Sequence, residues 1–425
     1  MYKESFYNIE IEIDEQKNVL LYNSITSALS WFDPETYATF KNRKNILKEN
    51  VLPDIIRLGY VVEKEKDELS MLKYQNRVSA YNNNPQYLHF VIAPTMLCNY
   101  KCIYCFEKQY AKNCNNIMDE RTIDATYNFI IKKIKEFKPK KGINVQWFGG
   151  EPLLAIDVIE KLATKLIKYT DENNYLYQSY VITNGYFMDE EMTERLIKIK
   201  VTGAQITMDG MKENYNTLKK CPTDAFDKVV ENIANAQYKL GISIRVNVSE
   251  KNKADIKNLI KYLALTKKIK SKIYIADIRD YSDETAKPLS FESSREQIIE
   301  YGKKLGIDNL KTQLPKRRYC SCEATTNREF VIGPTGKIYR CTHFLNRKNM
   351  ESGDVFSDFK VTKTDLMFFD YKLPSKCDKC KILPVCMGGC ICDRKIDKIK
   401  FNCEEKLMNL KFEVKEAMLN KKEVK

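Results

Sequence analysis

Cys98, Cys102 and Cys105 stand at C-x3-C-x2-C spacing, directly after an apolar run from Tyr87 to Ala93 that reads as a strand. Three thiolates can hold three irons of a 4Fe–4S cluster and leave the fourth iron open. A structural zinc prefers four protein ligands, and no fourth Cys or His follows within the next few residues at zinc-finger spacing. The alternative without chemistry is three cysteines packed as small hydrophobes, which does not require one loop or this spacing. A second concentration of thiols lies near the C-terminus. Cys320 and Cys322 precede an apolar strand (Glu329–Ile332), a Gly333-Pro334-Thr335-Gly336 turn and a second strand (Lys337–Arg340) ending in Cys341. That pattern is a hairpin with cysteines at its open end. Cys377, Cys380, Cys386 and Cys390 follow at C-x2-C-x5-C-x3-C spacing, and Cys403 stands ahead of a final helix. A C-x2-C pair by itself suits zinc or a redox dithiol as readily as a cluster.

The elements that must position the first three cysteines are legible from hydrophobic pattern. Runs at Tyr87–Ala93, Ile143–Phe148, Ser179–Ile182, Ala204–Met208, Ser243–Val248 and Lys272–Ile278 read as strands. Helical patterns fall at Asp119–Phe137, Ile156–Tyr169, Asp189–Ile199, Ala225–Leu240, Lys253–Leu265 and Ser293–Leu305. Such alternation implies βα units and a parallel sheet. In parallel barrels, functional groups collect at the C-terminal ends of the strands. Gly149-Gly150-Glu151-Pro152 follows the second strand, Thr183-Asn184-Gly185 ends the third, Thr207-Met208-Asp209-Gly210 ends the fourth, and Arg245 lies on the fifth. Each segment alone is an ordinary turn, and Thr183, Thr207 and Arg245 also read as polar residues of a barrel interior.

Residues 1–86 form a smaller α+β unit. Asn8–Ile13 and Asn18–Tyr22 read as paired strands, Asp33-Pro34-Glu35 as a helix start, Asn45–Leu58 as a helix in two pieces broken at Pro53, and Tyr60–Glu63 as a strand. Tyr81–Pro85 is a polar, turn-rich linker. The expected domains are therefore 1–86, 87–310 and 311–425.

The whole chain of 425 residues is long enough for several cores. Its N-terminus has no basic segment followed by an apolar one, so it does not read as a secretory signal, and no apolar run is long enough to span a membrane. Fourteen cysteines in such a chain point to metal or redox chemistry rather than disulfides, and to the cytoplasm. Two histidines, His89 and His343, leave little material for a His-rich metal site. The formal charge of +14 suits an acidic peptide or electron donor, or lysines dispersed on solvated helix faces. Bound clusters would lower it by roughly five units. No arginine-rich patch interleaved with aromatics suggests a nucleic-acid groove.

The cysteine loop, with the aromatic Tyr104 before its last cysteine, resembles the hallmark of the radical S-adenosylmethionine (SAM) superfamily. Gly149-Gly150-Glu151-Pro152 is similar to that family's GGEP motif, which contacts the methionyl amino group of SAM. Thr183-Asn184 is similar to a segment near the ribose, and Thr207 and Asp209 match the family's S-L-D-G. The family continues with a His-Asp pair and an arginine, where this chain has Tyr215, Asn216 and Lys219. Arg245 matches a common arginine and suits bidentate pairing with the SAM carboxylate. The resemblance implies an open, six-stranded partial (β/α)6 barrel, an α/β fold. The N-terminal unit is similar, in topology only, to the winged-helix peptide-recognition elements of peptide-modifying members.

The cysteine-rich tail resembles the SPASM domain, which binds two auxiliary 4Fe–4S clusters. That resemblance assigns Cys320, Cys322, Cys341 and Cys390 to one cluster and Cys377, Cys380, Cys386 and Cys403 to the other. Cys114, Cys221 and Cys392 are left as ordinary thiols. The implied cofactors are SAM and three 4Fe–4S clusters. Reductive cleavage of SAM would give a 5′-deoxyadenosyl radical that takes hydrogen from an unactivated C–H of a bound peptide.

The expected activity is maturation of a short, ribosomally made precursor peptide by an intramolecular crosslink such as a cysteine thioether. A flavodoxin or ferredoxin would supply electrons, and neither nucleic acid nor membrane is an expected partner. The runner-up is a sulfatase-maturing enzyme, which makes formylglycine. That family carries an aspartate base after the hairpin-end cysteine, where this chain has Thr342 and then His343. The third reading is a non-catalytic iron–sulfur electron carrier. Replacing Cys98, Cys102 and Cys105 together by Ala is expected to abolish SAM cleavage under reducing conditions while about eight irons stay in the tail. Cleavage retained by that variant would overturn the assignment.

Overall fold

The computed structural model describes residues 2–42, 52–107, 117–249, 252–277, 292–310, 312–357, 361–396 and 402–422. Cys114 and the first piece of the helix expected over Asn45–Leu58 lie outside them. The described chain separates into two compact units. One comprises residues 1–81, 311–326 and 371–425. The other comprises 82–310 and 327–370. This division differs from three consecutive segments, because the hairpin of the tail belongs to the same unit as the barrel.

In the first unit, β1 (Tyr2–Glu4) pairs antiparallel with β5 (Val61–Glu63), while β2 (Asn8–Glu12), β3 (Val19–Asn23) and β4 (Leu29–Phe32) form an antiparallel meander. The sequence pattern misses β1 and β4, which are short edge strands and carry little periodic signal. Asp33 caps helix Pro34–Lys41 by accepting from the Thr36 N–H at 2.8 Å, with Pro34 in the first turn. Asp67 caps helix Glu68–Ala80 in the same way. Ile9, Ile11, Leu20 and Tyr22 of the meander pack with Ile382, Leu410 and Val414 of the tail, so the two ends of the chain share one core. The Tyr22 hydroxyl donates to the Pro315 carbonyl at 2.7 Å.

In the second unit, six parallel strands lie in sequential order: β6 (Tyr87–Ile92), β7 (Gly142–Trp147), β8 (Leu176–Thr183), β9 (Val201–Met208), β10 (Gly241–Val248) and β11 (Lys272–Asp277). The sheet is open at β11. On its other side β12 (Glu329–Ile332) adds parallel to β6, followed by β13 (Lys337–Tyr339) and β14 (Gly353–Asp354). The expected (β/α)6 α/β architecture is present, and the tail hairpin extends its sheet.

Strand alternation sets the two faces. In β8, Tyr177, Ser179, Val181 and Thr183 are buried while Leu176, Gln178 and Tyr180 are exposed. Neighbouring strands align the polar members of the less buried face. Asn144 stands opposite His89 and Gln178, Gln146 opposite Tyr180, and Arg245 opposite Thr207 and Tyr274. These residues bond along the face: the Tyr180 hydroxyl donates to Gln146 Oε1, and the Tyr274 hydroxyl donates to Gln205 Oε1 at 2.6 Å. Among the described residues no helix is long and apolar enough to cross a membrane.

Behind the added hairpin, Arg340 Nε donates to Asp365 Oδ1 at 2.8 Å, with the two side chains 2% and 0% exposed. The other Asp365 oxygen caps its own helix, Lys363–Phe369, by accepting from the Thr362 N–H and hydroxyl. Removing one partner of a buried pair leaves a charge uncompensated and costs about 3–5 kcal/mol. Asp365→Ala is therefore expected to lower the urea midpoint by that equivalent. A change under about 1 kcal/mol would show that solvent reaches Arg340.

Candidate active site

The cysteine loop has little regular structure of its own and takes its shape from hydrogen bonds to neighbouring segments. The Gly150 and Glu151 N–H groups donate to the Thr95 and Leu97 carbonyls at 3.2 and 2.8 Å. From the other side, the Lys101 N–H donates to the Lys219 carbonyl at 3.2 Å and the Ile103 N–H to the Leu218 carbonyl at 2.9 Å. A Cβ on Gly150 would lie 2.4 Å from the Met96 and Leu97 carbonyl oxygens, and one on Gly149, at φ +111°, would lie 2.3 Å from that of Thr95. The close approach these glycines permit is thus to the backbone leading into Cys98.

Glu151 is fully buried, and its carboxylate is occupied by protein donors. Oε1 accepts from the Thr183 hydroxyl at 2.8 Å and the Leu153 N–H at 3.1 Å, and Oε2 from the Asn184 N–H at 2.8 Å. Burial pushes its pKa up to about 7, while the three donors pull it back. The Thr183 hydroxyl also accepts from the Gly185 N–H. Through these bonds Glu151, in the turn after β7, is tied to the end of β8. Asn184 reaches the cysteine loop itself: its Nδ2 donates to Asn99 Oδ1 at 2.8 Å and lies 4.0 Å from the Cys98 sulfur.

Tyr104 turns away from the loop toward the end of β9. Its hydroxyl donates to Asp209 Oδ2 and accepts from Asn247 Nδ2 at 3.4 Å. Arg245 Nε donates to Asn247 Oδ1 at 2.9 Å, so the arginine is oriented by the same network. Asn252 Nδ2 donates to the backbone carbonyls of Asp209 and Asn247 at 2.6 and 2.9 Å. The sequence pattern missed Asn99, Asn247 and Asn252. Asn247 could have been found, since it stands two residues from Arg245 on the same strand face.

Among the described residues no three Cys, His, Asp or Glu side chains converge on a single metal ion. In a 4Fe–4S cluster each thiolate holds its own iron, so three thiols distributed round one loop are a fitting donor set. Burial raises the pKa of the Cys102 thiol, and the Lys219 ammonium pulls it back down.

The Radical SAM superfamily profile matches residues 92–263. Those residues carry a radical SAM domain. The cysteine-type anaerobic sulfatase-maturating enzyme of Clostridium perfringens (strain ATCC 13124) is 26% identical over 328 residues, covering 69% of this chain and 85% of the relative. In fold the chain is similar to anSMEcpe with bound AdoMet and Cp18Cys peptide, at TM-score 0.62 and 22% identity, over 80% of this chain and 99% of that one. It is also similar to Streptococcus suis SuiB, at TM-score 0.52 and 17% identity, over 91% of this chain and 95% of that one.

Cys98, Cys102 and Cys105 lie within that domain and are the residues that would hold its cluster. When bound, the cluster and SAM supply a 5′-deoxyadenosyl radical. The chain's own contribution is to fix the three thiols, through the bonds above, and to set polar side chains on the open face of the sheet.

The tail thiols fall into both units. Cys377, Cys380, Cys386 and Cys403 lie in the first, near enough that Cys380, Cys386 and Cys403 each act electrostatically on Cys377. Left-handed conformations at Met387, Gly388 and Gly389 turn the chain between Cys386 and Cys390. Cys320, Cys322 and Cys390 belong to the same unit, whereas Cys341 belongs to the barrel unit. Cys392 is buried and Cys221 donates to Asn216 Oδ1 at 3.4 Å.

His343, 8% exposed, lies beside the cysteine loop, its ring 5.4 Å from that of Phe106. Arg347 Nη2 is 2.8 Å from His343 Nε2. A guanidinium can only donate, so Nε2 is the acceptor and its lone pair is taken.

Gly150→Ala is expected to displace the Thr95–Leu97 backbone and remove iron from the Cys98 loop, with the tail iron unchanged. Full iron content together with normal SAM cleavage in that variant would show that the two backbones can separate without consequence.

Proposed function

We propose that this radical SAM protein is a peptide maturase that installs an intramolecular crosslink, such as a cysteine thioether, in a short precursor peptide. The observation that carries this reading is the environment of His343. Formylglycine formation in the family it resembles uses a carboxylate after the hairpin-end cysteine. Here Thr342 follows Cys341, and the one basic side chain next to it has its Nε2 engaged by Arg347. A crosslink places less demand on a base at that point. A hydrogen atom leaves a C–H of the peptide, a thiol proton passes to solvent, and one further electron leaves as the C–S bond forms. The peptide becomes lighter by two hydrogens.

SAM and the Cys98/Cys102/Cys105 cluster would make the radical. The tail cysteines, as two auxiliary 4Fe–4S clusters, would accept the second electron, and a flavodoxin or ferredoxin would deliver the first. The N-terminal α+β elements offer the peptide a surface of their own, since edge strands such as β1 can pair with an extended chain. The polar open face of the sheet, from His89 to Tyr274, suits a peptide backbone, and a closed site there would protect the radical from water. The likeness in sequence to the C. perfringens sulfatase-maturating enzyme supports formylglycine formation as the second reading.

The test uses anaerobically reconstituted protein, SAM, a strong reductant and the short peptide encoded beside its gene, followed by high-resolution mass spectrometry. Loss of two hydrogens per event, with backbone fragments missing across a loop, is expected. An unchanged precursor, together with conversion of a sulfatase-derived Cys peptide to an aldehyde, would overturn the crosslinking reading in favour of the second.

A further inference from the structure

Tyr7, in the turn between β1 and β2, is 1% exposed, and its hydroxyl has no hydrogen-bond partner among the described residues. A buried hydroxyl left without a partner is costly, and buried tyrosines usually bond theirs. The ring belongs to a small core with Leu72, Cys377 and Leu383, against which Cys380 packs. Burial pushes the hydroxyl's pKa up to about 12, and Glu68 and Cys380 nearby add to the rise, so at neutral pH it is a donor. The backbone around it is fixed to the cysteine segment. Lys381 Nζ donates to the Asn8 carbonyl at 3.0 Å, and the Ser24 hydroxyl donates to the Lys381 carbonyl at 2.6 Å. The Ser24 N–H in turn donates to the Tyr7 carbonyl at 3.1 Å. The neighbours of Tyr7 and of Cys380 are thus bonded to one another. The other thiols of the expected set join through shared contacts. Cys380 and Cys386 pack against the core of Ile9, Leu20 and Val414. Lys406, three residues after Cys403 on the last helix, places its Nζ 3.9 Å from the Cys386 sulfur.

We infer that the Tyr7 hydroxyl donates a hydrogen bond to a sulfur of a 4Fe–4S cluster held by Cys377, Cys380, Cys386 and Cys403, and makes that cluster easier to reduce. This rests on reading those four thiols as a cluster site. A cluster brings sulfide and thiolate sulfurs that accept hydrogen bonds, and such bonds help set its reduction potential. The sign follows from the direction of donation. Reduction adds one negative charge to the cluster, and a hydrogen bond strengthens as its acceptor becomes more negative. The hydroxyl is neutral, so it brings no counter-charge, and no proton is transferred. A raised potential suits a centre that takes an electron from a substrate radical. The donor comes from the N-terminal elements, which gives them a role at the tail cluster besides offering the peptide a surface.

The test uses the full-length Cys98/Cys102/Cys105→Ala protein, reconstituted anaerobically, so that the tail clusters titrate without the radical loop. Reductive titration followed by electron paramagnetic resonance gives the midpoints. Electron–nuclear double resonance in H2O and in D2O detects exchangeable protons at the reduced cluster. The signal lost on adding Cys377→Ala and Cys380→Ala identifies the cluster in question. Tyr7→Phe keeps the ring and is expected to weaken one-electron reduction of that cluster about tenfold, a midpoint lower by about 59 mV. It is also expected to remove one exchangeable-proton coupling and to leave the other tail signal in place. An unmoved or raised midpoint with full iron would overturn the inference, and so would an unchanged set of couplings. Leu72→Val loosens the same core without touching the hydroxyl and is expected to keep both midpoint and coupling. A midpoint lowered as far as in Tyr7→Phe would show that packing alone is responsible. If Tyr7→Phe takes up no tail iron, the parent decides: an exchangeable-proton coupling supports the bond and its absence refutes it. A Cys377→Ala/Cys380→Ala protein that keeps every tail signal would instead refute the cluster site.

Discussion

A loop that must hold three sulfurs apart cannot satisfy its own backbone, and in this protein it borrows partners from three barrel segments. The Gly150 and Glu151 N–H groups reach its entry, and the Leu218 and Lys219 carbonyls reach its middle. Asn184 reaches Asn99. Those last two carbonyls are available because helix Lys212–Lys219 ends there, with Lys220 in the left-handed conformation. The terminal carbonyls of a helix have no intrahelical partner and must find one elsewhere. Helix termination, loop geometry and ligand placement are one constraint.

The same economy explains why the motif residues look different in three dimensions from their appearance in the sequence. In the folded chain Glu151 and Thr183 bond to each other and to turn N–H groups. A carboxylate with three donors locks the ends of β7 and β8 at a fixed offset, and that offset sets where Asn184 and the cysteine loop meet. Motif residues therefore shape a site by holding backbone, whatever else they touch.

The barrel strands and helices were legible because βα units repeat two strong signals, a short apolar run and an amphipathic helix, and some of the helices add an acidic cap. Asp119 and Asp189 cap their helices by accepting from Thr122 and Met192. The short strands β1 and β4 were not legible, because three or four residues carry too little alternation. Nor was the membership of the hairpin. Glu329–Ile332 reads correctly as a strand, but no local pattern states that its partner is β6, over two hundred residues earlier. The Tyr104–Asp209–Lys219 network was half legible. Its members could be named from a motif and its departures, but that they touch is a property of the folded chain.

That long-range pairing has a consequence for electron movement. β12 runs parallel to β6 with Ile332 opposite Ile92, and the Ala93 N–H donates to the Ile332 carbonyl at 2.8 Å. The strand that leads to Cys98 and the hairpin that leads to Cys341 are therefore neighbours in one register. A slip of one residue would turn every side chain of β12 to the opposite face, replacing buried Phe330, which stacks on Phe90 of β6, by a neighbour such as half-buried Glu329. The cost of that exchange keeps the register fixed. Any redox centre that uses Cys341 is then spaced from the radical loop by a hydrogen-bonded sheet rather than by a linker. Rigid spacing is what an acceptor needs when it must take an electron from a short-lived substrate radical.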